Sequence, residues 1–369
     1  MNIGLLITRF PPDLVGGAEL QIRQVAAELA RRGHAVTVFT RRYNGRPFVE
    51  RQDGYLIRRR RELPIPALRM LWDTIPALWN IFRQRPRPQV LLCYQMLNSG
   101  LIGVVAQSAL GIPAVVSIRG QEEYRIADSL RNRLLIPAIF RRARSVVVQM
   151  PGIQNDLQEQ LEKAGKAELN RSLQSRIAVV PNGVTVACSQ RSRGTKVVYI
   201  GRLVADKGVA DLLQALKELP NLDALIVGDG PDRQRLESMA QGSRVTFVGE
   251  VPPEEVVQYL QQARMLVLPS LREGLANVIL EAMANGVPVV TTRVGGTADL
   301  VRHNETGLLF DPGDVPQLVR HMDQISSNDS LWERLGESGM ELARSYSWDV
   351  ITPQIEQLLV DATHNGRAK

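Results

Sequence analysis

Residues 269–290 read PSLREGLANVILEAMANGVPVV, and this stretch decides the fold. The apolar run before it, Met265–Leu268, has the length and composition of a buried strand. Asn277–Ala284 reads as a helix ended by Gly286, and a second strand-like run, Val287–Val290, follows. Strand, turn, helix and strand in close succession are the unit of a parallel α/β sheet. Glu273 then falls in the turn at the C-terminal end of a strand, where such sheets hold their ligands. Glu281 falls one to two turns into the helix. Between them, the N–H groups of Gly274, Leu275, Ala276 and Asn277 point out of the helix N-terminus, which favours an anion. A carboxylate accepts hydrogen bonds from hydroxyls. A ligand with both hydroxyls and phosphate, such as a nucleotide-sugar, fits that pairing. In isolation the two glutamates read as surface acids. The phosphate logic, however, recurs along the chain.

Gly201-Arg202-Leu203-Val204-Ala205-Asp206-Lys207-Gly208 follows the strand-like Val197–Ile200 and opens a helix. Arg202 and Lys207 put two cations at a strand end, as a diphosphate requires; two solvated loop cations are the plain alternative. Gly228-Asp229-Gly230-Pro231 follows Ala224–Val227, with Pro231 suited to a first helical position. Gly16-Gly17 follows the first strand and lets backbone approach a ligand, although a loop hinge reads the same way. Gly295-Gly296-Thr297 after Val287–Val290 is compatible with a simple turn.

Short apolar runs alternate with amphipathic stretches over the whole of the 369 residues, enough for two domains with ample cores. The expected fold is α/β: two doubly wound, Rossmann-like domains facing across a cleft. The expected boundaries are residues 1–185, 186–345, and a final helical segment, 346–369, carrying Trp348, Ile351, Ile355 and Leu359 at helical spacing. The linker is expected at Pro181-Asn182-Gly183 and the polar stretch Ser189–Lys196. Residues 1–185 hold 27 Lys+Arg against 14 Asp+Glu, net +13, and the remainder 18 against 24, net −6. The basic half should therefore face an anionic surface or ligand.

Other classes are disfavoured. No G-x-G-x-x-G follows the first strand, and no P-loop is present. Two cysteines, Cys93 and Cys188, make neither a disulfide framework nor a zinc cluster, and suit a cytoplasmic setting. The four histidines are scattered and no Asp-x-Asp clamp occurs, so no metal and no cofactor are expected. The basic half lacks a nucleic-acid motif. The longest apolar region, Leu101–Ile118, is broken by Gln107, Ser108, Gly111 and Pro113, and is no membrane span.

Glu273-x7-Glu281 after Pro269-Ser270, Gly201-Arg202-Leu203 with Lys207-Gly208, Gly228-Asp229-Gly230-Pro231, Pro181-Asn182-Gly183-Val184 and Gly16-Gly17-Ala18-Glu19 together resemble the family 4 glycosyltransferases of the GT-B fold. The likeness runs from residue 1 to about residue 360. It implies retaining transfer of a sugar from a nucleotide-diphosphate donor to an acceptor hydroxyl, usually without metal. By this resemblance Arg202 and Lys207 neutralise the diphosphate and Glu273 holds sugar hydroxyls. Backbone from Gly274 to Asn277 meets sugar and phosphate, and Glu281 binds ribose. The base lies near Gly249-Glu250-Val251, and the final helix crosses back to the first domain. Many members carry a histidine after the strand that is Ala114–Ile118 here; Arg119 takes that place, in Ser117-Ile118-Arg119-Gly120-Gln121-Glu122. An arginine is no base at ordinary pH, so Arg119 is expected to position groups, with a core-capping salt bridge as the alternative. An epimerase or phosphorylase on the same fold, and a non-catalytic nucleotide-sugar-binding protein, are the competing readings.

Arg58-Arg59-Arg60-Arg61 precedes a segment with Leu68, Met70, Leu71, Trp72, Ile75, Leu78, Trp79 and Phe82, then Arg83, Arg85 and Arg87. Pro76 should kink or interrupt a helix there. Basic flanks around an apolar face suit an anionic membrane surface, consistent with a lipid-linked or envelope-glycan acceptor and a peripheral place on the inner face; a core helix with a solvated arginine cluster is the alternative.

Overall fold

A computed structural model describes residues 1–12, 16–43, 45–61, 69–120, 123–186 and 193–364. Leu68, Gln121, Glu122, Cys188 and residues 189–192 lie outside these, and so do the side chains of Met70, Leu71 and Trp72. The chain forms two compact units, Met1–Asn182 with Trp348–Lys369, and Gly183–Ser347.

The first unit carries strands β1 (Asn2–Leu6), β2 (Ala35–Arg41), β3 (Val49–Gln52), β4 (Tyr55–Arg60), β5 (Val90–Tyr94), β6 (Ala114–Ser117), β7 (Ser145–Val148) and β8 (Ile177–Val179). Its helices are α1 (Gly17–Arg31), α2 (Arg69–Arg83), α3 (Leu101–Leu110), α4 (Leu130–Arg142), α5 (Pro151–Lys163) and α6 (Ala167–Gln174). The sheet order is β3-β4-β2-β1-β5-β6-β7-β8. All neighbours are parallel except β3, which pairs antiparallel with β4 at the edge. The chain winds outward from β1 in both directions, so β1 and β5 flank the point where the winding reverses.

The second unit carries β9 (Lys196–Ile200), β10 (Ala224–Val227), β11 (Val245–Gly249), β12 (Ala263–Leu268), β13 (Val289–Thr292) and β14 (Leu308–Phe310). Its helices are α7 (Val209–Glu218), α8 (Arg233–Met239), α9 (Val256–Leu260), α10 (Asn277–Ala284), α11 (Thr297–Leu300), α12 (Val315–Ser327) and α13 (Asp329–Arg344). The order β11-β10-β9-β12-β13-β14 is wholly parallel and reverses between β9 and β12. β12 is buried along its whole length, as a strand covered on both faces must be.

The last helix, α14 (Trp348–His364), belongs to the first unit. Trp348, Ile351, Ile355, Leu359 and Ala362 join the apolar core around β1, β2 and β5. At its edge Glu356 takes Arg32 and His34, each at 2.9 Å.

Two strands carry no periodic signal of their own: the polar Val49–Gln52 is a strand because β4 pairs with it, and β14 has three residues. Two sequence expectations change. Pro76 does not interrupt α2, which runs through it. The arginine run is no exposed flank: Arg58, Arg59 and Arg60 lie in β4, in register with Phe39, Thr40 and Arg41 of β2. Arg59 and Arg60 are buried. A buried guanidinium needs a partner, and Arg59 has Glu50 at 2.7 Å while neighbouring Arg41 pairs with Asp73 of α2. Of the four, Arg61 is exposed.

Candidate active site

In the second unit the C-terminal ends of β9 and β12 stand side by side, and the loops that leave them are knitted together by backbone. After β9 the chain turns at Gly201, whose N–H donates to Val227 O at 3.0 Å; Leu203 N–H donates to Asp229 O at 2.9 Å. The loops approach so closely that a Cβ on Gly228 would lie 2.0 Å from Gly201 O, and one on Gly230 2.3 Å from Leu203 O. Gly228 also has φ of +127°, a region that side chains disfavour. Gly208, with φ of +63°, packs against Pro269 O in the same way. Leu271 N–H donates to Asp206 O at 2.8 Å. The glycines that looked like ordinary turn residues are thus the positions where three loops touch. Gly249 joins them, accepting from Gly228 N–H at 2.7 Å, and Glu250 and Val251 follow it at the same sheet edge.

Onto this frame the charged groups are set. Lys207 Nζ and Glu273 Oε2 form an ion pair with both side chains mostly enclosed. Arg202 is exposed and has no ion pair among the described residues. Its backbone is fixed by Tyr199, whose buried hydroxyl donates to Arg202 O at 2.9 Å. Burial, with the charge of Glu273 nearby, holds the Tyr199 phenol far above its usual range. Nothing in the sequence marked Tyr199, which reads as one more residue of a strand.

The turn from Glu273 enters α10 with Ala276 as N-cap, which has no side chain to cap with. Gly274 O accepts from Gly296 N–H at 2.8 Å, so the Gly295-Gly296 turn braces the loop. Among the described residues no protein acceptor takes the N–H groups of Gly274, Leu275 or Ala276. They form the positive end of the helix. Glu281, half-buried on the second turn, has its carboxyl pushed up to about 7 by burial. Near neutral pH it both donates and accepts hydrogen bonds. Gathered in this unit are therefore Arg202, Lys207, Gly228, Gly249, Glu250, Val251, Glu273, Gly274, Leu275, Ala276, Asn277 and Glu281, on the strand ends, loops and first two helical turns that follow β9 to β12.

Gly16, Gly17 and Arg119 lie in the first unit, after the C-terminal ends of β1 and β6. Gly16 is the extended N-cap of α1, and a Cβ there would meet the Glu19 carboxylate at 2.7 Å. Burial raises the Glu19 pKa, with Arg9 opposing. Arg119 makes no core-capping salt bridge within ion-pair reach among the described residues. Its guanidinium stacks 3.8 Å from the centroid of Tyr94 and donates to Asn182 Oδ1 at 2.6 Å. The Glu123 carboxylate accepts from the N–H groups of Arg119, at 3.2 Å, and Met96, at 3.0 Å. Burial lowers the Arg119 pKa from its very high ordinary value. Tyr94 and Asn182 as its partners were not legible in the sequence, because they come from distant segments; Glu123 is only four residues on, but nothing marked its carboxylate as the acceptor of the Arg119 N–H. Among the described residues no three His, Cys, Asp or Glu side chains gather as a metal site needs, and no helix is long and apolar enough to cross a membrane.

Two family models match adjoining stretches: Glycosyltransferase Family 4 over residues 15–187, and Glycosyl transferases group 1 over residues 189–342. Together they account for both units, and the chain belongs to the family 4 glycosyltransferases. The lipopolysaccharide core biosynthesis glycosyltransferase LpsE of Rhizobium meliloti is 37% identical over 168 residues, 44% of this chain and 49% of that one. The chain spans between 32% and 69% of the length of the first curated relatives it matches. Among solved structures, sucrose-phosphate synthase from Thermosynechococcus elongatus has a TM-score of 0.83 at 24% identity, covering 98% of both chains. HepE of Anabaena, solved in complex with UDP, has a TM-score of 0.77 at 21% identity, covering 98% of this chain and 100% of that one. The fold is thus GT-B.

Proposed function

We propose that this protein is a retaining glycosyltransferase that moves a sugar from a nucleotide-diphosphate sugar to an acceptor hydroxyl. The observation that carries the reading is the Lys207–Glu273 pair beside exposed Arg202 and the uncapped start of α10. Cations, a carboxylate and free N–H groups converge at one switch point. Arg202 and Lys207 stabilise negative charge on the departing diphosphate, which is greatest in the transition state. Lys207 exchanges its contact with Glu273 for the donor, and Glu273 then accepts from sugar hydroxyls. The N–H groups of Gly274 to Ala276 take an oxygen of sugar or phosphate. Glu281 binds ribose, and the base lies along Gly249 to Val251. In the first unit Gly16 and Gly17 let backbone approach a ligand closely, and Arg119 orients groups without acting as a base. The solved complex of HepE with UDP supports a nucleotide donor. The acceptor is a carbohydrate or lipid-linked hydroxyl of cell-envelope glycan or glycolipid synthesis, reached at the inner face of a membrane; the LpsE relative and the basic first half support that setting.

The test begins with UDP, GDP and ADP in thermal-shift assays, since a ligand bound by the native state alone raises apparent stability. The matching nucleotide-sugar is then assayed for transfer, with the anomeric configuration of the product read by NMR. Arg202→Ala should lower kcat/KM by the equivalent of about 2–4 kcal/mol with the melting temperature unchanged, because Arg202 is exposed. Near-normal turnover in Arg202→Ala would reject the diphosphate site, and an inverted anomeric centre would reject the retaining course.

A further inference from the structure

The first unit exposes an apolar stripe that its own core does not use. Ala77 and Ile81 of α2 are buried, while Ile75, Trp79 and Phe82 are 61%, 56% and 38% exposed. These three follow one another at spacings of four and three, so they share a single face of the helix. Trp79 and Phe82 stack with centroids 6.0 Å apart. Three guanidinium groups close around the pair: Arg83 lies 5.3 Å from the Trp79 ring, and Arg87 and Arg85 lie 4.5 and 6.0 Å from the Phe82 ring. Arg85 is tied down by donating to Phe82 O at 2.7 Å. Among the described residues none of these three arginines has a carboxylate within ion-pair reach. The surface therefore offers aromatic area together with positive charge that no carboxylate among the described residues pairs with.

We propose that the second half of α2 and the segment after it, through Ile75, Trp79, Phe82, Arg83, Arg85 and Arg87, dock on an anionic lipid bilayer. Indole and phenyl rings settle at the headgroup level, and guanidinium groups held beside them meet lipid phosphates at the same depth. Each arginine adds attraction to a negative surface. An aliphatic residue continuing the aromatic stripe favours a bilayer over a polynucleotide, whose bases stack on rings alone. Of the expected Arg58–Arg61 flank, Arg59 and Arg60 take no part, since they are buried. The surface deepens the membrane-side setting proposed above, and it stands apart from the transfer reaction.

The experiment is co-sedimentation of the full chain with phosphatidylcholine vesicles, with and without phosphatidylglycerol, at low and high salt, in the absence of donor and acceptor. Binding should require the anionic lipid and weaken as salt rises. Trp79→Ser with Phe82→Ser should reduce binding at least about tenfold. Arg83→Ser, Arg85→Ser and Arg87→Ser should each reduce it about fivefold and together flatten the salt dependence. Leu130→Ser with Leu134→Ser, which alters an exposed pair on α4 (73% and 64% exposed), should leave binding unchanged. Melting temperatures confirm that the variants are folded. Absence of binding at low salt would overturn the proposal, as would an equal loss in the α4 variant. Single-stranded RNA bound as tightly as vesicles would overturn the lipid assignment. Turnover is measured on the same preparations: a protein that binds vesicles but transfers no sugar keeps the surface and loses the enzymatic reading, and the reverse result does the opposite.

Discussion

The two units share a doubly wound parallel layout, yet they secure their switch points by different means. In the second unit the loops after β9, β10 and β12 are joined by backbone hydrogen bonds and by glycines packed on carbonyl oxygens. In the first, the equivalent region is held by side chains: Arg119 on Tyr94, Arg119 to Asn182, and Glu123 to two backbone N–H groups. A backbone-held site is pre-organised and tolerates little change at the glycines. A side-chain-held one can be retuned by single substitutions, since each link is one residue.

The largest effect that would test this contrast is at Gly228. Alanine there would set its Cβ 2.0 Å from Gly201 O at φ of +127°. Gly228→Ala should destabilise the protein by about 3–4 kcal/mol, as strain and a backbone clash combine. Urea denaturation measures it; a cost smaller than that of Arg119→Lys would break the comparison.

An intermediate effect concerns Glu281, whose carboxyl is raised from 4.5 to about 7 in the folded protein by burial. The folded state therefore holds the proton more tightly than the unfolded chain. Stability from this group is present at low pH and is lost as pH rises from about 4.5 to about 7. The loss should be about 1–2 kcal/mol, below the full value of the shift because the side chain is partly solvated. Glu281→Gln should remove that dependence and be the more stable form at pH above about 7. An unchanged pH profile in the variant would show that the carboxyl is ordinary.

The smallest effect is Arg119→Lys. Loss of the planar stack and of the fitted hydrogen bond should cost about 1 kcal/mol in stability. If Arg119 positions groups, kcat should fall more than KM rises, and the pH profile of kcat should keep its shape. A pH profile that changes would give the residue a part in proton transfer.

Much of this molecule was legible from one dimension. The apolar runs before Gly201, Gly228 and Pro269, each followed by glycine or proline and then a helical pattern, determined the α/β class and the loops that carry the candidate site. Such signals are local: burial on both faces forces a continuous apolar strand, and a tight strand-to-helix turn demands glycine. The charged residues of the candidate site were legible as candidates for the same reason, since Arg202, Lys207 and Glu273 stand beside those turns. Only the tertiary structure decided which groups meet. It set Lys207 against Glu273, Tyr199 under Arg202, and Arg119 between Tyr94 and Asn182. It also drew Arg58 to Arg60 into β4 and left Trp79 and Phe82 in solvent. A run of arginines reads as a charged surface until a neighbouring strand supplies its register. An amphipathic helix likewise does not declare which of its faces the sheet will take. Both depend on residues far away in the chain, and the periodicity of one segment carries no information about them.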